Sequence, residues 1–230
     1  MRFPLKNLKK VALDNALTRG LVGGAFTFVW YHSEETWQKN TFLGYPILQC
    51  PLDLQLYQEL IHRIRPRYII QTGVWKGGSL LYFATLLDLI GAPGDHLAVG
   101  VDIELTEEAR SLPHPRVRLI EGDSKSPETI ARVRQIVPSG GGMVVLDSNH
   151  QRSHVLAELR AYREFVGVGS YLVVEDTVIN GHPVEPFWGP GPHEAVEEFL
   201  PTQGEFVRDD EIWKRNMISF HRRGWLRRVR

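Results

Sequence analysis

The apolar residues of this chain fall into short continuous runs, separated by segments in which polar and apolar residues alternate with helical spacing. Runs of Val, Ile and Leu without alternation are typical of strands in a parallel sheet, where both faces are buried. We predict such strands at residues 68–72, 97–103, 117–121, 143–147 and 171–175. Their alternation with helices predicts βαβ units and a doubly wound, Rossmann-like α/β fold.

The segments between these strands carry helix signals. One helix begins near Gly78 and stops at Gly91, because glycine favours the C-terminal end of a helix. Another begins at Pro127, which suits the first helical turn, and runs to Val137. Further helices are predicted at residues 53–65, 153–166 and 194–200.

Both ends of the chain lie outside this alternation. Residues 1–50 show no clean periodicity and carry many aromatic side chains, so we predict an irregular arm or cap packed on a domain of residues 51–230. After the last helix we predict two closing strands, at residues 205–209 and 216–221. The arginine-rich final residues, 222–230, are expected to form a solvated terminus.

The composition is that of an ordinary globular domain. The chain has 230 residues, is 43% hydrophobic and has a formal net charge of zero, so no overall field predicts nucleic-acid binding. Cys50 is the single cysteine, which excludes a disulfide within the chain and suits a reducing cytoplasm. No apolar run is long enough to span a bilayer, so we expect a cytoplasmic protein without stable membrane insertion.

A glycine-rich turn follows the first predicted strand. Residues 72–79 read TGVWKGGS, a G-x-x-x-G-G spacing that fits neither the dinucleotide G-x-G-x-x-G motif nor a P-loop. It does fit the looser G-x-x-x-G turn used for S-adenosylmethionine. Gly73 can adopt a backbone conformation closed to other residues, and Gly77 or Gly78 allow a ligand to approach closely. The alternative to a cofactor site is that these glycines only allow the strand to pack closely against the following helix.

Acids end the next two predicted strands. Asp102 ends the second, where a carboxylate can accept hydrogen bonds from both ribose hydroxyls of a nucleotide-type cofactor. Asp123 ends the third, where an adenine edge or its exocyclic amine would lie. A helix cap or a solvated loop acid is the alternative for each residue, and the sequence leaves both readings open.

Three more acids, Asp147, Glu175 and Asp176, lie at the ends of the fourth and fifth predicted strands. Acids at the ends of adjacent buried strands repel one another unless a positive charge lies between them. A hard cation such as Mg²⁺ takes oxygen ligands of this kind. The chain has no thiolate cluster and no H-E-x-x-H, so we do not predict zinc. The alternative to a metal site is that one of these acids caps a helix while the others form ordinary ion pairs.

A histidine lies close to these acids in the sequence. His150 comes three residues after Asp147, and an imidazole there is suited to act as a general base. It could deprotonate a hydroxyl whose pKa a bound metal has lowered. A loop histidine that only forms hydrogen bonds is the alternative. The long Gly- and Pro-rich loop at residues 180–192 could form a lid over a substrate.

Taken together, these motifs resemble one family. The most specific are DSNH at residues 147–150 and VEDT at residues 174–177, beside QTGVWKGGS, VGVDIE and HPRVRLIEGDS. From Trp37 to the end, the chain resembles the cephalosporin hydroxylase-like group, which includes rhamnosyl O-methyltransferases. The resemblance implies a class I S-adenosylmethionine-dependent methyltransferase with a seven-stranded sheet. Several such enzymes are magnesium-dependent and oligomeric, which makes a homo-oligomer one candidate assembly here.

The resemblance also implies roles for individual residues. Asp147, Glu175 and Asp176 correspond to the family's metal ligands, and His150, with Asp147, to its catalytic residues. The residues that correspond to the cofactor site are Gln71, Thr72, Gly73, Gly77, Ser79, Asp102, Asp123 and Asp147. Gln71 departs from the glutamate usual at its position, but an amide still accepts a hydrogen bond, so we expect the cofactor to be retained.

The expected activity is Mg²⁺-dependent transfer of a methyl group from S-adenosylmethionine to a hydroxyl of a small natural product or sugar. Two alternatives stay open: a non-catalytic accessory protein that binds the cofactor, and an iron-dependent hydroxylase. Iron oxygenases use two histidines and a carboxylate on one face. The chain has no H-x-D motif, and its H-x-E at residues 32–34 lies in the predicted arm.

Overall fold

A mixed seven-stranded sheet forms the centre of the molecule, in a computed structural model that describes residues 15–230. A small hairpin, β1 (Thr41–Phe42) and β2 (Tyr45–Pro46), precedes it. The strands of the main sheet are β3 (Tyr68–Thr72), β4 (Leu97–Asp102), β5 (Val117–Glu121), β6 (Gly142–Leu146), β7 (Tyr171–Val174), β8 (Phe206–Arg208) and β9 (Trp225–Arg228). The first five of these agree with the predicted strands to within one residue at each end.

The order of strands in the sheet is β5-β4-β3-β6-β7-β9-β8. The first five run parallel, whereas β9 is antiparallel to both of its neighbours. The order reverses between β3 and β6, and ligands of open α/β sheets bind in the crevice beyond the carboxyl ends of strands at such a point. This topology confirms the predicted doubly wound, Rossmann-like α/β fold with seven strands.

Helices cover both faces of the sheet. They are α1 (Ala16–His32), α2 (Pro51–Ile64), α3 (Gly78–Leu89), α4 (Glu107–Arg110), α5 (Pro127–Ile136), α6 (Arg152–Tyr162), α7 (Pro192–Phe199) and α8 (Glu211–Lys214), with short 3₁₀ turns at Trp37–Lys39, Arg163–Phe165 and Leu200–Thr202. Successive strand residues face opposite sides: Ile70 packs with α5, α6 and α7, and Ile69 with α2 and α3. Burial on both faces explains the continuous apolar runs.

The N-terminal segment is more regular than we expected. Residues 1–14 of the predicted arm lie outside the described residues, but residues 16–32 form α1 instead of irregular chain. This helix is apolar on nearly every side, so it shows no one-sided periodicity. No helix in the described part of the chain is long and apolar enough to span a membrane. The domain boundary at residue 50 stays a prediction.

The expectation for the C-terminal residues is wrong. Trp225–Arg228 form β9, which lies between β7 and β8, so these residues are part of the sheet and not a solvated end. Trp225 and Leu226 are fully buried, whereas Arg227 is exposed. The strand predicted at residues 216–221 is also wrong, because this segment forms turns and irregular backbone. Arginines flank the two buried residues on both sides, so the segment lacks the continuous apolar run by which the other strands were predicted.

The position of β9 predicts how unfolding responds to mutation. Leu226→Ala should lower the free energy of unfolding by about 2–5 kcal/mol, because it removes a fully buried side chain from the core. Arg227→Ala, at the next position, should change it by no more than about 0.5 kcal/mol, because that side chain is exposed. Urea unfolding followed by circular dichroism measures both. Equal small effects would contradict the placement of β9.

Candidate active site

A cavity of about 560 Å³ opens beyond the carboxyl ends of the parallel strands, beside the point where the strand order reverses. The predicted site residues that line it are Gln71, Gly73, Ser79, Asp102, Asp123, Asp147, His150 and Asp176. Thr72, Gly77 and Glu175 are not among the lining residues. The sequence-based predictions for a cofactor turn and an acidic cluster thus converge on one cavity.

The glycine turn packs directly against the loop that carries Asp147. Gly73 has a φ of +79°, and a Cβ there would overlap the carbonyl oxygen of Asp147. The Asp147 N–H also donates to the carbonyl oxygen of Thr72 at 3.0 Å. Gly77 has a φ of +84°, and a Cβ on Gly78 would overlap the carbonyl oxygen of Pro46. The glycines are therefore required by close backbone packing around the turn.

Asp102 holds the turn from the neighbouring strand. Its Oδ2 accepts hydrogen bonds from the N–H groups of Val74 (2.6 Å) and Trp75 (3.0 Å), and its Oδ1 accepts from the N–H of Glu104 at 3.2 Å. A carboxylate can accept more hydrogen bonds than these three, and Asp102 lines the cavity. It can therefore both brace the turn and accept hydrogen bonds from a ligand.

Gln71, in β3, forms hydrogen bonds to both sides of the turn. It is almost fully buried, and its Nε2 lies 2.8 Å from the carbonyl oxygen of Gly73 and 2.7 Å from Ser79 Oγ. The Ser79 hydroxyl in turn lies 3.0 Å from Gln71 Oε1. A carboxylate has no proton to donate to the Gly73 carbonyl, whereas an amide does. Gln71 thus fixes the turn without adding a negative charge to it.

Asp123 lines the same cavity as Asp147 and Asp176, and Lys125 pairs with it. The Lys125 Nζ is 2.8 Å from Asp123 Oδ2, and the Lys125 N–H donates to Oδ1 at 3.2 Å. The hydrogen bond from the Lys125 side chain lowers the pKa of Asp123. Asp123 is therefore an ionised acceptor at the cavity wall.

A buried polar network, which the sequence did not reveal, links two of the cavity loops. His154 Nε2 lies 3.1 Å from Ser124 Oγ and 3.2 Å from Ser148 Oγ. Ser148 donates to Oε1 of the fully buried Glu158 at 2.6 Å. Ser148 directly follows Asp147, and Ser124 directly follows Asp123. The network therefore fixes the loops after β5 and β6 relative to each other.

Asp147, His150 and Asp176 converge on one side of the cavity. Each offers a ligand atom within 4.8 Å of the others. His150 Nε2 is 3.2 Å from Asp176 Oδ2 and 4.0 Å from Asp147 Oδ1. Enclosure by the protein raises the pKa of Asp147 well above its usual value, and the charges of Glu175 and Asp176 raise it further. A cation among these acids would relieve that repulsion.

Glu175 lies behind this group and is held by donors from the protein. Its Oε1 accepts from the Tyr57 hydroxyl at 2.6 Å, and its Oε2 accepts from Gln49 Nε2. Burial raises the pKa of Glu175 to about 8, although the Tyr57 hydrogen bond acts in the opposite direction. The structure does not place Glu175 in the group of three, and its role as a metal ligand stays a prediction.

Gln49 and His221 support the acids from behind. Gln49 Nε2 lies 3.4 Å from Asp147 Oδ2, and its Oε1 lies 3.3 Å from His221 Nε2. The Asp176 N–H donates to His221 Nδ1 at 3.2 Å, so the imidazole proton is on Nε2 and faces Gln49. Burial lowers the pKa of His221 to about 3, which keeps the ring neutral. Neither residue belongs to a motif that could have indicated this role.

Aromatic residues from the N-terminal segment form another wall of the cavity. Tyr31 and Trp37 both line it, and their rings stack with centroids 5.2 Å apart. Burial raises the pKa of Tyr31 to about 12, and the nearby charge of Asp176 contributes. At the rim, Trp188 Nε1 donates to the carbonyl oxygen of His150 at 3.3 Å. The loop predicted as a lid therefore reaches the acidic group.

Sequence matches to named proteins cover most of this chain. A family model described as Rhamnosyl O-methyltransferase/CmcI matches residues 34–229. The rhamnosyl O-methyltransferase of Mycobacterium tuberculosis is 36% identical over 199 residues, which cover 85% of this chain and 78% of that protein. The Mycobacterium leprae rhamnosyl O-methyltransferase is 33% identical over 201 residues, which cover 86% of each protein.

Solved structures share the fold. A structure of CmcI with Mg and SAM aligns with a TM-score of 0.64 at 20% identity, covering 88% of this chain and 84% of that one. An O-methyltransferase from Bacillus cereus in complex with SAH aligns with a TM-score of 0.56 at 14% identity, covering 88% and 89%. At these identities the likeness establishes the fold alone, and the family rests on the sequence matches. The chain therefore belongs to the Rhamnosyl O-methyltransferase/CmcI family of S-adenosylmethionine-dependent O-methyltransferases.

Proposed function

We propose that this protein transfers the methyl group of S-adenosylmethionine to a hydroxyl of a sugar-bearing small molecule, with Mg²⁺ held by Asp147, Glu175 and Asp176. The observation that carries the proposal is the contact between the glycine turn and the acid-bearing loop, at Gly73 and Asp147. A methyl donor on the turn and an acceptor oxygen at the acids would be neighbours in one cavity. Direct transfer requires such proximity.

The side chains fit a hard divalent cation. Carboxylate oxygens of Asp147 and Asp176 lie within 4.8 Å of each other. Gln49 Nε2 contacts both Asp147 and Glu175, so the third carboxylate lies close behind. Mg²⁺ prefers oxygen ligands and keeps waters that an acceptor hydroxyl can replace. When bound, it supplies the Lewis acidity that lowers the pKa of that hydroxyl. The raised pKa values of the three acids are those of a negative cluster that a cation would stabilise.

His150 is the residue that we propose as general base. Its Nε2 lies beside Asp176, within the same group as Asp147, and can donate the ring proton to Asp176 Oδ2. The other ring nitrogen, Nδ1, is then the one that can receive a proton from a hydroxyl held at the acids. Asp176 Oδ2, at 3.2 Å, would orient the ring. The hydrogen bond from Trp188 to the His150 carbonyl holds the backbone of this loop in place.

The acceptor class is proposed from the relatives and from the cavity wall. The relatives are named for a rhamnosyl group, a deoxysugar, which would offer a hydroxyl beside an apolar ring face. Tyr31 and Trp37 present aromatic faces to the cavity, and pockets for such ligands combine apolar walls with a few polar groups. We therefore propose a sugar hydroxyl as the methylated group.

Iron-dependent hydroxylation is a poor fit to the same residues. That chemistry uses two histidines and one carboxylate, whereas the group here has one histidine and two carboxylates. The other nearby imidazole, His221, accepts a hydrogen bond from Asp176 at one nitrogen and faces Gln49 with the other. Both of its nitrogens are thus engaged in supporting the acids.

Asp176→Asn tests the metal acids. Asparagine has the same shape and tolerates the positive φ of this residue, +52°, so the fold should be kept. Loss of one anionic ligand should lower Mg²⁺-dependent methyl transfer by on the order of 100-fold or more. The rate can be followed with radiolabelled S-adenosylmethionine and a rhamnoside as the acceptor. Asp95→Asn, an exposed acid paired with Arg67, is the control. Full activity in Asp176→Asn would contradict the metal assignment.

His150→Gln tests the base. The methyl-transfer rate at saturating cofactor should fall by about 10²–10⁴-fold, because proton removal loses its acceptor. Affinity for S-adenosylmethionine, measured by calorimetric titration, should stay close to that of the wild type, since the turn is untouched. His62→Gln, on the exposed surface of α2, should leave both quantities unchanged. A matching loss of rate and cofactor affinity would show a structural role for His150 instead.

A further inference from the structure

One glutamate of α7, Glu194, collects hydrogen bonds from the long loop that precedes this helix. Its Oε1 accepts from Asn180 Nδ2 at 3.1 Å and from His182 Nε2 at 2.8 Å, and its Oε2 accepts from the Gly191 N–H at 2.7 Å. Burial alone would raise the pKa of Glu194, but these three hydrogen bonds, that from Gly191 foremost, lower it to about 2. An ionised carboxylate is therefore the common acceptor for three separate points of the loop.

The loop itself, residues 177–191, is called the strap here because it runs between two parts of the site. It begins directly after Asp176 and returns to the loop that carries His150. Its first half is firmly packed: Val178 and Val184 are fully buried, and the Val184 N–H donates to the carbonyl oxygen of Val178 at 3.0 Å. One end of the strap is thus fixed in the core.

The other end of the strap contacts the backbone around His150 at three points. The Arg152 N–H donates to the carbonyl oxygen of Pro190 at 3.0 Å. Trp188 Nε1 donates to the carbonyl oxygen of His150 at 3.3 Å. A Cβ added to Gly191 would lie only 3.2 Å from that same carbonyl oxygen, so the two backbones are in close contact. The position of His150 therefore depends on the shape of the strap.

We propose that Glu194 is a positioning residue for His150. By closing the strap, it sets the place of His150 relative to Asp176, whose Oδ2 lies 3.2 Å from His150 Nε2. The strap starts at one of these two residues and ends against the other, so its shape determines their separation. Glu194 is not among the residues that line the cavity, so it acts through the strap. The proposal rests on the proposed function, in which His150 is the base.

A helix cap alone would account for only one of the three hydrogen bonds. Glutamate at the third position of a helix commonly accepts from the N–H of the N-cap residue, which here is Gly191. Such a cap uses neither Asn180 nor His182, which lie at the near end of the strap and join it to the far end through Glu194. Loss of a cap would destabilise α7, whereas loss of positioning would slow the reaction through His150.

Glu194→Gln tests this role with a side chain of nearly the same shape. An amide has one oxygen, so in either orientation its NH₂ group faces at least one of the three donors. The methyl-transfer rate at saturating substrates should fall by roughly 10- to 100-fold, because small misplacements of a reacting group cost that much. Affinity for S-adenosylmethionine, measured by calorimetric titration, should stay close to that of the wild type. Glu197→Gln, at an exposed acid of the same helix, is the control and should change neither quantity.

A double variant separates positioning from a general loss of structure. If Glu194 acts through His150, the variant with both Glu194→Gln and His150→Gln should be no slower than His150→Gln alone, because coupled residues do not contribute additively. A double variant slowed by the full additional factor of Glu194→Gln would overturn the proposal. A Glu194→Gln variant with the wild-type rate would overturn it as well.

Hydrogen exchange tests the strap without turnover. The Arg152 amide, whose acceptor is the Pro190 carbonyl oxygen, should exchange at least about tenfold faster in Glu194→Gln than in the wild type or in Glu197→Gln. Unchanged exchange at Arg152 would overturn the proposal. Because no substrate is needed, this result stands apart from a failure of the proposed function, which would show as a wild-type chain that does not methylate the rhamnoside.

Discussion

The close packing of the turn after β3 against the loop after β6 determines how this site is built. The two strands are neighbours where the strand order reverses, and their loops occupy the same edge. A side chain at position 73 would overlap the Asp147 carbonyl, so the two loops can meet only because that residue is glycine. Asp102 and Gln71 then hold the turn through hydrogen bonds to its backbone. Rigid strands thus fix the distance between the two halves of the cavity.

A concentration of negative charge is the second constraint. Asp147, Glu175 and Asp176 lie together where burial disfavours their charged forms. The protein satisfies Glu175 with Tyr57 and Gln49, and leaves Asp147 and Asp176 facing the cavity. This division of partners explains how a buried acid can lie behind two others. It also directs the remaining negative charge toward the place where a cation and an acceptor oxygen would bind.

The sequence predicted the five parallel strands and the cavity edge, because both depend on local patterns. Doubly buried strands appear as continuous apolar runs, and the carboxyl ends of parallel strands must share an edge. Residues contributed by distant segments could not be predicted in this way. Gln49 and His221 are separated by 172 positions and meet only in the folded chain. Helix α1 was missed because two of its faces are apolar, and β9 because arginines surround its buried residues.

A crystal structure with S-adenosylhomocysteine and Mn²⁺ in place of Mg²⁺ would test most directly whether the glycine turn and the acids form one site. The anomalous signal of manganese locates the ion independently of the protein density. We expect an ion within about 2.0–2.4 Å of carboxylate oxygens of Asp147, Glu175 and Asp176, a range set by hard-cation coordination. We also expect the nucleoside on the turn at Gly73, in the same cavity. An ion bound elsewhere, or a nucleoside away from the turn, would contradict it.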